Sequence, residues 1–191
     1  VNIKLEKAAE IILRGGLVVY PTETFYALGA NALNKKAVEE IFRVKKRPLS
    51  KPIPIIIADK SWLKDIVIEV PEVAIHLIKK YWPGPLTIVF RASNKLPSNL
   101  TGGTGKIGIR VCSHPLAQRL VSLVKVPITA TSANISGEPP PNSIESVSLN
   151  GIDIIDGGPV LGRVPSTIID VTSTPPVILR QGAIKITYLK I

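Results

Sequence analysis

Two runs far apart in the chain each carry a short β-rich stretch into a polar turn: LVVYPTETFYALGA at residues 17–30 and VPITATSANISG at 126–137. A strand that ends in hydroxyls, an amide, Pro and Gly sets ligand-binding groups on a rigid support, the usual place for them in α/β proteins. Between the two runs a helical stretch ends in the basic turn Lys45-Lys46-Arg47-Pro48. Hydroxyls and cations without a clustered acid base point to a site that holds phosphates and carboxylates.

The rest of the chain alternates helical and extended patterns. Residues 4–14 set Leu5, Ala8, Ala9, Ile12 and Leu13 on one helical face, and Gly15-Gly16 stops that helix. A second helix is expected over 35–46, with Val38, Ile41 and Phe42 inward, ending before Arg47-Pro48. Residues 53–58 read as a buried strand, which Pro54 confines to an edge or a strand start. Helices are expected at 60–66 and 71–81, strands at 86–92 and 106–111, then a helix at 115–124 feeding a strand at 127–131. EPPPNS breaks the pattern, and IDIID, STIIDV and PVILR are short strands without helices between them. The expected fold is therefore α/β with an α+β character: one domain over residues 1–191, built on a twisted mixed sheet with flanking helices.

Length and composition fit one substantial core, since 191 residues with 45% hydrophobic content exceed what a disordered tail carries. No apolar run is long enough to span a bilayer, and no signal-like segment opens the chain. One cysteine excludes an intrachain disulfide and fits a reducing compartment. The expected location is the cytoplasm, away from any membrane. The formal charge of +10 calls for an anionic partner or a solubilising surface, and its lysines are spread along the chain.

Several motifs have competing readings. Gly103-Thr-Gly105-Lys-Ile-Gly108 spells the dinucleotide fingerprint, but it precedes a strand instead of opening a helix, so it is set aside. It is no P-loop either, because Ile107 stands where the magnesium-binding hydroxyl belongs. Lys45, Arg47 and Lys51 suit a polyphosphate, or else they decorate a helix C-terminus and favour its dipole. Ser132 and Asn134, two apart on an extended turn, can clasp one ligand or merely bond their own backbone. Arg110 suits an amino-acid carboxylate or a salt bridge to a nearby Asp. His76, read on the apolar face of its helix, and His114, before a proline turn, give no metal spacing with the lone Cys112. Packing or capping is their reading, and no metal site is expected. Cys112 reads as a small hydrophobe, and Trp82 as a wedge at a Pro-Gly turn.

Seven words occur in a fixed order: PTETFYALGA, VKKRPLSKP, YWPGPLTIVF, GIRVCSHPLA, TSANISG, IIDGG and STIIDV…ILRQGA. Together they cover residues 17–183, and in this order they resemble the YrdC-domain family. The resemblance implies synthesis of L-threonylcarbamoyladenylate from L-threonine, bicarbonate or CO2, and ATP with its Mg2+, for modifying the adenosine beside the tRNA anticodon. It implies nucleotide contacts from Lys45, Arg47, Lys51, Ser132, Asn134 and Arg180, with Lys45 and Arg47 central to the chemistry. It implies threonine contacts from Thr24, Arg110 and Ser166, and from Ala130 through its backbone. Implied partners are a downstream threonylcarbamoyl-transfer machinery and weakly bound tRNA or double-stranded RNA. The alternatives within the family are a non-catalytic RNA-binding paralogue and a carbamoyl-transfer relative with another acceptor.

Three positions depart from the family pattern. Ala27 stands where Gly is usual, Ile56 where threonine-binding members often carry His, and Lys106 where a small or hydroxyl residue lies near the nucleotide. Alanine at a glycine position either strains the backbone or sets a methyl in the ligand's way. All three bear on the expected amino-acid specificity.

Overall fold

A computed structural model describes residues 2–160, 162 and 164–186. Helix α1 (Leu5–Leu13) buries Ala8, Ala9 and Ile12 and stops at Gly15, whose φ of +85° lies in the region that glycine enters freely. Strand β1 (Val18–Pro21) follows and pairs antiparallel with β2 (Tyr26–Gly29) across the PTET turn. The sequence reading had no strand at β2, because TFYALGA lacks the alternation of a strand. Helix α2 (Lys35–Lys45) is capped by the Asn34 side chain, which accepts from the amides of Lys36 and Ala37. It ends at Lys46 in the left-handed region, φ 50°, with the amide of Arg47 bonded back to the Phe42 carbonyl.

Strand β3 is only Ile55–Ile56, since Pro54 cannot donate to a ladder. Helices α3 (Leu63–Ile66) and α4 (Glu72–Tyr81) precede the long strand β4 (Leu86–Arg91). After β5 (Lys106–Arg110) comes α5 (Pro115–Val124), with proline at its first position and the His114 ring accepting from the Leu116 amide. Strands β6 (Ile128–Thr129), β7 (Thr131–Ser132), β8 (Asp153–Ile154), β9 (Thr167–Asp170) and β10 (Val177–Arg180) complete the fold.

The domain is mixed α/β with flanking helices, and its strands form two sheets. One sheet runs β7-β2-β1-β8 and the other β10-β9-β4-β5-β3-β6, each mixing parallel and antiparallel pairs. Strand alternation sorts side chains between two cores. Val18 and Tyr20 pack with α1 and α5, whereas Val19 joins the larger core shared with α2, α4 and β4. The same rule sends Ile55 and Ile57 into the larger core and Ile56 into the α1–α5 core. His76 differs from expectation: it is exposed on α4, with Nδ1 3.0 Å from the Glu72 carbonyl oxygen. Among the described residues no helix is long and apolar enough to cross a membrane.

Candidate active site

The facing ends of the two sheets enclose a cleft of about 390 Å³. Its walls come from the PTET turn, the residues after α2, β4, the end of β5, the β6–β7 segment and the β9–β10 pair. Elements remote in sequence thus place Thr24, Arg47, Arg110, Ala130, Ser132, Asn134, Ser166 and Arg180 around one space.

At the PTET turn, Thr22 folds its hydroxyl onto its own backbone, donating to the Phe25 carbonyl at 2.7 Å and accepting the amides of Thr24 and Phe25. Thr22 therefore builds the turn, and the Thr24 hydroxyl lies 3.0 Å from that of Thr22 and 3.5 Å from Arg110 Nη1, with both threonines lining the cleft. Arg110 is buried at the end of β5, with Nη1 3.3 Å from Glu23 Oε1. The ion pair expected with an Asp is made instead with Glu23, one residue from Thr24. Glu23 Oε2 also accepts the Cys112 thiol proton at 2.6 Å. Burial pushes the Cys112 thiol up to about 12 against the pull of Arg110, so the sulfur stays protonated and unreactive. Gly162 crosses this turn so closely that a Cβ there would fall 1.1 Å from the Thr24 carbonyl oxygen, and only glycine fits.

The basic turn divides its residues. Arg47 lines the cleft, anchored by Nη2 to the Pro52 carbonyl at 2.8 Å and by Nε to the Lys51 carbonyl at 3.3 Å. The Lys51 side chain is exposed and lies outside the cleft lining, so its contribution to the site is its carbonyl. Lys45 does not line the cleft either. It is 1% exposed, and its ammonium donates to the carbonyls of Ser132 and Asn134, both at 2.5 Å. Burial, with Arg47 nearby, draws its pKa down to about 8.

That ammonium clamps the backbone of the Ser-x-Asn turn from behind. In front, the Asn134 amide nitrogen donates to the Ile135 and Glu138 carbonyls, leaving the buried Oδ1 without a protein partner. Asn134 thus offers the cleft an acceptor, with the Ser132 hydroxyl beside it. The Ala130 amide already donates to the Pro54 carbonyl at 2.8 Å.

Arg180 grips Ser166 twice, Nε to its carbonyl at 2.9 Å and Nη2 to its hydroxyl at 3.0 Å. Burial and the Arg110 charge lower the Arg180 pKa. Three guanidiniums therefore face one cleft, and Glu23, beside Arg110, and Glu138, whose Oε2 accepts from Ser148, bring negative charge near it. Such a balance favours an anion with several charged oxygens. Among the described residues no group of three or more His, Cys, Asp or Glu is placed to hold a metal.

Two of the three departures lie away from this space. Ile56 is fully buried in the α1–α5 core, and Lys106 sits at the opposite end of β5 from Arg110, paired with Asp170 at 2.8 Å. Ala27 does line the cleft, and its φ is not positive, so its methyl acts by filling space and not by strain. Sequence reasoning missed Thr87 and Glu138 as lining residues; a lone Thr within the apolar run LTIVFR does not by itself mark a site.

The Sua5/YciO/YrdC family model, described as telomere recombination, matches residues 10–182. The chain belongs to the Sua5/YciO/YrdC family. It is similar to the threonylcarbamoyl-AMP synthase of Pyrococcus abyssi, with 44% identity over 98% of this chain and 56% of that protein. It is also similar to the uncharacterized protein YciO of Escherichia coli, 34% identical over 93% of this chain and 88% of that one. The solved structure of P. abyssi Sua5 complexed with L-threonine superposes with a TM-score of 0.90 at 46% identity, over 93% of this chain and 54% of that chain. The chain thus spans about half the length of the synthases of P. abyssi and Bacillus subtilis that it matches.

Proposed function

We propose that this Sua5/YciO/YrdC domain is an enzyme that forms threonylcarbamoyl-AMP and pyrophosphate from L-threonine, bicarbonate or CO2, and ATP. The observation that carries this reading is the convergence of three guanidiniums with the hydroxyls of Thr24, Ser132 and Ser166 on one cleft. The name of the 44%-identical P. abyssi relative and the L-threonine in its solved complex support it.

In this reading the amine of threonine captures CO2 as a carbamate. A carbamate oxygen then attacks the α-phosphorus of ATP, and pyrophosphate departs with the bond electrons. Arg110, Thr24 and Ser166 hold the amino acid, since a carboxylate matches a guanidinium flanked by hydroxyls. Ser132 and Asn134 Oδ1 face the nucleotide, and Arg47 and Arg180 offset phosphate charge. Lys45 acts through the loop, fixing the backbone of Ser132 and Asn134. Phosphoryl chemistry needs mainly placement and charge stabilisation, which this set supplies. Mg2+ enters with the triphosphate as part of the substrate. The product passes to a threonylcarbamoyl-transfer machinery acting on tRNA in the cytoplasm, and exposed lysines give weak contact with RNA phosphates.

The test is pyrophosphate release together with mass detection of the adenylate. Release that requires both threonine and bicarbonate is expected. Release indifferent to threonine, or dependent on carbamoyl phosphate, overturns the reading in favour of another acceptor chemistry.

A further inference from the structure

Thr87 stands on β4, 4% exposed, and lines the cleft. Its Oγ1 lies 3.0 Å from Ser166 Oγ, a contact between residues 79 apart in sequence. Gly108 on the neighbouring β5 explains how the side chain is held: a Cβ there would approach the Thr87 methyl to 3.0 Å. The methyl thus rests on bare backbone, and the hydroxyl is directed toward Ser166.

Proton counting gives this contact its meaning. Ser166 Oγ accepts from Arg180 Nη2, so both the Thr87 and Ser166 protons remain to be placed. Only one of them can lie in the contact between the two oxygens. Among the described residues neither hydroxyl has another acceptor. Whichever way the contact is oriented, one O–H is left over, and both side chains line the cleft. A buried donor without an acceptor is unfavourable, which makes this a place for a ligand oxygen. Arg180 on Ser166, with Arg110 nearby, makes that oxygen an anionic one.

We infer that Thr87 is a positioning residue for the amino-acid substrate: it orients Ser166, and the pair presents a single O–H to a carboxylate or carbamate oxygen. The inference rests on the amino-acid reading of the cleft given above. It assigns threonine recognition to β4 as well as to the PTET turn and the end of β5.

Calorimetry with L-threonine and, separately, with ATP tests it alongside turnover. Thr87→Val keeps the methyl on Gly108 and removes the hydroxyl; Thr87→Ser keeps the hydroxyl. Thr87→Val should weaken threonine binding and raise its KM about tenfold, the usual effect of losing a hydrogen bond to a charged group. ATP affinity should stay within about twofold, and Thr87→Ser should recover most of the loss. Wild-type threonine affinity in Thr87→Val overturns the inference. So does an equal loss for both ligands, or a Thr87→Ser as impaired as Thr87→Val, since each marks a packing role. A wild type that binds threonine but releases no pyrophosphate sinks the synthase reading and leaves Thr87 standing. A wild type that binds no threonine sinks both.

Discussion

Lys45 shows how one buried charge can support a cleft that it does not itself line. Spacing puts Lys45 and Arg47 at the same helix end, but the left-handed turn at Lys46 sends them different ways. Arg47 reaches the cleft, while Lys45 runs beneath the Ser-x-Asn turn and replaces water with two carbonyl oxygens. Among the described residues no carboxylate bonds this ammonium, so its charge is carried at a desolvation cost. The folded pKa of about 8 lies below the ordinary 10.5, so across that window the unfolded chain holds a proton that the folded chain has released. Stability contributed by this group therefore rises with pH through the window, and the full cost is present below it. Comparison with Lys45→Met cancels every other titration. The stability of wild type relative to Lys45→Met should grow from neutral pH to about pH 10, by up to ~3 kcal/mol. Denaturant melts of both proteins at the two pH values check this, and a flat or shrinking difference contradicts it.

Among the elements, the pair of Lys106 and Asp170 ties β5 to β9 across β4, at the end of the sheet away from the cleft. Asp170 is mostly buried, which alone would raise its pKa, but bonds from Lys106 and Thr172 outweigh this and lower it. A lowered carboxyl pKa means stability that is present above the ordinary value of 3.8 and lost as pH falls through the folded value. Lys106→Met should destabilise by roughly 1 kcal/mol at neutral pH, a figure kept small because the Lys106 side chain is 42% exposed. Ligand affinity should be unchanged, since four residue steps along β5 carry Arg110 about 13 Å from Lys106. Melts at neutral and acid pH decide it: a penalty that persists after Asp170 is protonated would assign it to packing. This pair also marks the limit of reading the sequence. Helices α1, α2, α4 and α5 were legible because their apolar residues recur at helical spacing, and Gly, Pro and Asn mark their ends. Strand β2 was not legible, because its partner across the turn and Ser132 on β7 define it more than its own composition does. Cleft residues carried in polar words at strand ends were legible as candidates. Thr87 and the destination of Lys106 were not, since both depend on partners more than sixty residues away.

On the scale of the whole molecule, the charge divides into two populations. Lys45 and Arg110 are buried, so a polynucleotide backbone has little access to them, whereas Arg47 is half-buried at the cleft and Arg180 lines the cleft from an exposed strand. The remaining excess sits on exposed side chains such as Lys36, Lys46, Lys51, Lys79, Lys80 and Lys125. Exposed lysines bind phosphates as point charges and carry no base readout. RNA binding by this surface should therefore be weak and indifferent to sequence. Log affinity should fall linearly with log salt, by about 0.7–0.9 per phosphate contacted. Saturating ATP should leave most of the binding in place, because the proposed nucleotide site is the cleft and not the outer surface. Filter binding with unrelated duplexes and a tRNA, across a salt series with and without ATP, measures all three properties. Tight binding to one sequence that resists salt would mean a built recognition site. Loss of binding on adding ATP would mean that the cleft itself holds the RNA. Absence of binding at low salt would confine the excess charge to the nucleotide and to solubility.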